Sequence, residues 1–287
     1  MKIAIGSDLH IDWGNINLTN TDSADILILA GDICVATDLE FTGKAKRIHN
    51  FFNNCSKEFK DVIYISGNHE MYNGDYHNTI PLLKKHLSYI KNLHILDNEV
   101  FTLEDITFIG GTLWSDMNRS DPKTISDIRY MLGDFKYATN STPSNIDNPP
   151  KFMPKDYVIE HNKMLEFIKS KVDDKPNTKF IVVGHHGVSH RSISPKFKDC
   201  IISNGAFVSS LDEFILNRPQ IRLWFSGHTH ERHQYYIGNT LITNNARGYN
   251  TIEDSVSTFN LQYIDTNSLP DKENIINNPY WLFHPED

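Results

Sequence analysis

The sequence predicts a layered α/β fold, and three observations carry that prediction. Short β-rich runs stop at a small residue followed by polar side chains, amphipathic helical patterns lie between them, and no internal repeat points to a solenoid or propeller. The polar clusters gather where strands end, which is where open α/β sheets place their sites.

Taken in order, Lys2 to Ile5 precedes Gly6-Ser7-Asp8-Leu9-His10, and Ile26 to Leu29 precedes Ala30-Gly31-Asp32. Val62 to Ile65 leads into Ser66-Gly67-Asn68-His69, Phe180 to Val183 into Gly184-His185-His186, and Leu223 to Phe225 into Ser226-Gly227-His228-Thr229-His230. Each is read as a strand. Helical spacing groups Phe41, Ala45, Ile48 and Phe52, then Leu83, Leu87 and Ile90, then Val158, His161, Leu165, Ile168 and Val172. Ser210 with Glu213 reads as a capping box opening a helix that presents Leu211, Phe214 and Ile215. Thr240 to Thr243 and Val256 to Ile264 read as late strands.

Residues 136 to 155 are rich in Asn, Ser, Thr and Pro and are expected to hold neither helix nor central strand. They belong to an excursion over 112 to 156, expected to act as a lid within one domain spanning 1 to 287. The tail, 266 to 287, is polar except for Tyr280, Trp281, Leu282 and Phe283, which are expected to dock on the body.

The chain has 287 residues and a net charge of -8, which argues against coating nucleic acid through a global positive field. A cation bound in one cleft can still reverse the sign locally, so a phosphate substrate stays open. No apolar run approaches the roughly 18 residues of a membrane span, and the first residues are too short for a secretory segment. Cys34, Cys55 and Cys200 are odd in number with no paired spacing, which favours a reducing compartment, the cytoplasm. Cys34 is expected to be a small buried residue.

Asp8 and His10 are two apart, so an extended segment projects both to one side, where they can share a cation. His228 and His230 repeat that spacing, and paired imidazoles are seldom needed for packing. Singly, Asp32 reads as a turn or capping residue, as do Asn68, His69 and Glu70. Together they read D-L-H, G-D-I-C, G-N-H-E, G-H-H and G-H-T-H, each after a predicted strand.

That ordered set resembles the calcineurin-like metallophosphoesterase superfamily over about Lys2 to Gly248. The resemblance implies a four-layer αββα sandwich with a dinuclear metal site at the C-terminal ends of the strands. It implies Asp8, His10 and His230 on one ion, Asn68, His185 and His228 on the other, and Asp32 bridging. Between His185 and His186 the sequence does not decide; His185 is taken because it directly follows the strand and Gly184. Nitrogen and oxygen donors suit Mn, Fe, Zn, Co or Ni and select none, with Mn the first choice for an assay. The implied chemistry is hydrolysis of phosphate mono- or diesters by in-line attack of a hydroxide shared by the metals, Asp32 and His69 being the catalytic residues. His69 is implied to protonate the leaving group, the alternative being that it only orients ligands.

Asn245 to Tyr249 and Gly111 to Trp114 resemble stretches of a bacterial and phage branch, and His186, Arg191, Asn245 and Arg247 are candidate substrate contacts. The two arginines of the protein phosphatase branch are missing here, one after Gly31-Asp32-Ile33-Cys34-Val35 and one before Gly67-Asn68-His69-Glu70. The expected partner is therefore a small phosphate ester, with nucleic acid only as a substrate and no membrane. Trp114 and Tyr130 are expected in the core, His161 as a satisfied core residue, and His49, His77, His86, His94, His190, His233 and His284 at the surface or in packing. A second class is a silent scaffold of the same fold. Scaffold members tend to lose metal-site histidines, and all are kept here.

Overall fold

Alternate residues of the early strands face opposite ways, and both faces are covered. In the computed structural model, which describes residues 1–270, Lys2–Gly6 (β1), Ile26–Ala30 (β2), Asp61–Ile65 (β3) and Leu93–Ile95 (β4) run parallel. A second sheet holds Glu99–Leu103 (β5), Ile106–Gly110 (β6), Lys179–Val183 (β7), Ile221–Ser226 (β8), His233–Ile237 (β9) and Thr240–Asn244 (β10). Gln262–Asp265 (β11) closes the first sheet antiparallel to β1. The orders are β11-β1-β2-β3-β4 and β5-β6-β7-β8-β10-β9.

Ile3, Ile5, Ile28, Ile63 and Ile65 from one sheet pack with Phe108, Ile181, Val183, Leu223 and Phe225 from the other in a single core. Their neighbours Leu27, Leu29, Val62 and Tyr64 point the other way, onto helices Thr42–Glu58 and Tyr76–Leu87. Phe180, Val182 and Trp224 likewise meet Met164, Ile168 and Val172 of helix Pro154–Val172, and Ile215 of helix Asp212–Leu216. Strands buried on both faces read as near-continuous apolar runs, which is why the early ones were visible. Helix, sheet, sheet, helix is the predicted four-layer αββα sandwich.

Several expectations are corrected. Phe41 precedes its helix and is 60% exposed, while Phe51 and Cys55 fill the apolar face. The helix after Ser210 starts at Asp212 with Leu211 at its N-cap and no side-chain cap bond. Of the expected strand 256 to 264, Asp254–Thr258 is a 3-10 turn and pairing starts only at Gln262. The non-helical stretch is trimmed at both edges, because Asp134–Tyr137 and Pro154 onward are helical, the latter with proline in the first turn. Tyr130 is not core but 79% exposed.

The excursion carries its own apolar cluster. Trp114, Ile128, Phe135, Phe152 and Tyr157 pack with Met71 and Ala206. His161 is buried and bonded to the Leu113 carbonyl at 3.1 Å, as expected. Cys34 is buried too. Among the described residues no helix is long and apolar enough to cross a membrane. Tyr280, Trp281, Leu282, Phe283 and His284 lie outside the described residues.

Candidate metal centre

Both sheets deliver their polar loops to one edge. Asp8 and His10 follow β1, Asp32 follows β2, Asn68 and His69 follow β3, His185 follows β7, and His228 and His230 follow β8. The loops are tied together: Asp8 N donates to Gly31 O at 3.0 Å, His10 N to Asp32 O at 3.0 Å, and Gly227 N to His185 O at 2.8 Å. Gly31 sits at φ +84, and a Cβ on Gly67 would collide with Asp32 Oδ1, so both turns require glycine. Asp8, His10, Asp32, His228 and His230 all hold positive φ, between 43 and 65. Such backbone costs about 1–3 kcal/mol per residue and gathers where a site over-determines it.

Asp8 Oδ1 lies 3.3 Å from His230 Nε2, and His10 Nε2 lies 3.3 Å from the same nitrogen. His185 Nε2 lies 3.4 Å from Asp32 Oδ1 and 3.1 Å from Asn68 Oδ1. Asp32 also reaches toward His10, at 3.8 Å from Oδ2, so it stands between the two groups. Donor atoms of Asp8, His10 and His230 lie within 4.8 Å of one another, as do those of Asp32, His185 and His228 and those of His10, Asp32 and His69.

The far nitrogens are already occupied. His185 Nδ1 faces the Ala30 carbonyl at 2.7 Å, and His230 Nδ1 faces Glu253 Oε1 at 2.6 Å. A histidine whose Nδ1–H is held this way presents Nε2 as a lone pair, the arrangement of a metal-binding imidazole. His228 Nε2 is buried with no partner among the described residues, an orphan that a cation would satisfy.

The charges agree. Burial pushes the Asp32 carboxyl up, but the His185 and His69 charges outweigh it and hold Asp32 well below the usual range. Burial also raises Asp8, and the His230 bond and charge reverse it. Against burial, Asp32 brings His185 up to about 9, and Asp8 with Glu253 brings His230 up to about 10. Burial drives His10 down to about 3 and His228 well below its ordinary value. Without metal, two imidazole protons thus balance two buried carboxylates, and cations can replace them.

A model of the calcineurin-like phosphoesterase family matches residues 1–232, which include every one of these donors. The chain belongs to the calcineurin-like phosphoesterase family. It is 28% identical over 299 residues to uncharacterized protein L509 of Acanthamoeba polyphaga mimivirus, covering 92% of this chain and 96% of that protein. Its fold is similar to that of the phosphopantetheinyl hydrolase of Mycobacterium tuberculosis, with TM-score 0.62, 15% identity, and coverage of 95% of this chain and 97% of the other.

Within this calcineurin-like site, His186 lies behind the donor groups without belonging to them: it is fully buried, its ring 4.1 Å from that of His228 and 5.3 Å from those of Trp114 and Tyr157. The structure therefore brings His185 rather than His186 to the cluster, and His186 is not among the residues lining the cleft. One terminal nitrogen of Arg247 donates to the carbonyls of Leu9, at 2.7 Å, and Gly14, at 3.0 Å, and the Asn245 side-chain amide donates to those of Ile5 and Asn260. Both pin the first motif loop from behind. Arg191 donates to Tyr236 O at 2.9 Å and covers the Tyr235 ring at 4.3 Å, outside the cleft lining.

The cleft over the donors measures about 480 Å³ and is lined by Asp32, His69, Tyr72, Asp134, Lys196 and Tyr249 among others. Several of its polar groups were not singled out from sequence, three of them at the donors or deep in the cleft wall. Glu253 backs His230, Tyr249 meets His69, and Asp134 is buried with Oδ1 unpartnered among the described residues. None follows a strand end with the glycine-and-polar signature that exposed the others.

Proposed function

We propose that the chain is a metal-dependent phosphoesterase acting on phosphate mono- or diesters of small molecules. The observation that carries this reading is the convergence of seven nitrogen and oxygen donors from five strand ends, with the remaining nitrogens of His185 and His230 already anchored. Asp8, His10 and His230 would hold one divalent cation and Asn68, His185 and His228 a second, with Asp32 between them. When bound, such cations supply Lewis acidity toward a phosphoryl group and an acidified water.

The protein's own residues do the rest. Asp8 and Asp32, ionised and buried, fix where positive charge collects. His69 Nε2 stands at 3.9 Å from Asp32 Oδ2, at the cleft edge, where it is placed to hold a proton for the departing oxygen. Lys196 at the rim adds a cation for a phosphate oxygen.

The test is hydrolysis of p-nitrophenyl phosphate and bis-p-nitrophenyl phosphate with added Mn, with Asp32→Ala as the control. The expected result is turnover of at least one ester that Asp32→Ala abolishes. No turnover with Mn, Fe, Zn, Co or Ni would overturn the reading in favour of a binding scaffold. His69→Ala is expected to slow alkyl phosphates far more than p-nitrophenyl phosphate, whose leaving group departs without a proton; equal losses would remove His69 from the acid role.

A further inference from the structure

The hydroxyl of Tyr249 lies 2.8 Å from Nε2 of His69. Tyr249 belongs to a short segment beyond residue 232, where the family match ends. That segment is fastened to the site by its backbone: Arg247 N donates to Ser7 O at 3.0 Å and Gly248 N to Asp8 O at 3.0 Å. Tyr249 N donates to Glu253 Oε1 at 3.0 Å, the same oxygen that faces His230. The Tyr249 ring then lies over His10, with centroids 4.3 Å apart and planes at 30°. Its hydroxyl is therefore placed by fixed backbone and by stacking.

His69 needs such a partner. Its ring stacks on Tyr72 at 4.3 Å and 27°, and its edge meets His10 at 4.6 Å. Stacking fixes the plane of an imidazole but not which edge faces the cleft, because a half-turn about Cβ–Cγ keeps the plane and swaps nitrogen for carbon. The hydrogen bond between Tyr249 and His69 distinguishes the two, since only a nitrogen can make it; with the acid proton on Nε2, that N–H donates and the phenol oxygen accepts.

Resting on the reading of His69 as the leaving-group acid, we propose that Tyr249 is its positioning residue, holding Nε2 toward the cleft until the departing oxygen takes the phenol's place. Tyr249→Phe removes the hydroxyl and keeps the ring on His10. The loss of one hydrogen bond predicts a kcat lower by roughly fivefold on an alkyl phosphate, with KM unchanged. On p-nitrophenyl phosphate the change stays under about twofold, because no proton is needed there. Added to His69→Ala, the substitution costs nothing further.

A second readout does not depend on turnover. In the metal-free protein labelled with nitrogen-15 histidine, Tyr249→Phe is expected to move the Nε2 resonance of His69 and leave that of His185 in place. Equal losses on both esters, additive losses with His69→Ala, an unmoved His69 resonance, or loss of bound Mn from Tyr249→Phe would each overturn the assignment. The nitrogen signal reports the hold on His69 even in a protein that hydrolyses nothing, a result that would sink the phosphoesterase reading instead.

Discussion

Replacing Glu70 by Gln tests how the metal loops are held. The Glu70 carboxylate is fully buried and accepts from Ile33 N at 2.7 Å, Cys34 N at 3.4 Å and Tyr64 OH at 2.8 Å on one oxygen. Its other oxygen takes Gly67 N at 2.7 Å and Asp32 N at 3.1 Å. It thus clamps the loop of Asp32 to the loop of Asn68. Burial and the Asp32 charge push this carboxyl up to about 7, with the Ile33 N–H opposing, so at pH 8 it is mostly ionised. Glutamine keeps one acceptor and turns an NH2 toward the other set, so in either orientation two backbone N–H groups lose their acceptor. At about 1–3 kcal/mol for each buried unsatisfied donor, the cost is about 2–6 kcal/mol. That corresponds to a fall in Tm of roughly 3–10 °C for a chain of this size. The assay is thermal unfolding of the metal-free protein at pH 8, followed by circular dichroism. A shift smaller than about 2 °C would refute the reasoning, because the donors would then have found other partners.

Two further outcomes follow from the same geometry. His185 at about 9 and His230 at about 10 lie above the ordinary 6.5, so they contribute stability that is complete below pH 6.5 and lost as pH rises through 9 to 10. His10 and His228, shifted downward, act only below 6.5. Metal-free protein is therefore expected to melt at lower temperature at pH 9.5 than at pH 7, and His185→Gln to flatten that slope; an unchanged Tm would contradict it. Phe152, fully buried against Trp114 and Tyr157, is expected to cost about 3–5 kcal/mol when replaced by Ala. Limited proteolysis should then cut within 138 to 153 before the sandwich opens, and intact resistance would contradict the cluster's role.

What could be read from sequence was what is local. A doubly buried strand followed by glycine and metal-capable side chains is visible within ten residues, and all five such units lie where the pattern placed them. The hairpin of β5 and β6 was missed because its two-residue turn is Glu104-Asp105, with Glu104 at φ +54, and lacks the usual glycine or asparagine. The β9 and β10 hairpin had a legible turn in Gly238-Asn239, but His233–Ile237 is too polar to stand out. Arg247 shows the limit for side chains: the carbonyls of Leu9 and Gly14 that it meets lie 238 and 233 residues away in the chain, beyond the reach of any spacing rule. Tyr249 and Glu253 act across some 180 and 23 residues, on His69 and His230, so no spacing rule could pair them.

The central claim is most directly tested by a crystal structure of Mn-loaded protein, with anomalous scattering collected to locate the ions. Two ions are expected, one among Asp8, His10 and His230 and one among Asn68, His185 and His228, with Asp32 touching both. A cleft without anomalous signal, or ions held by other side chains, would contradict it.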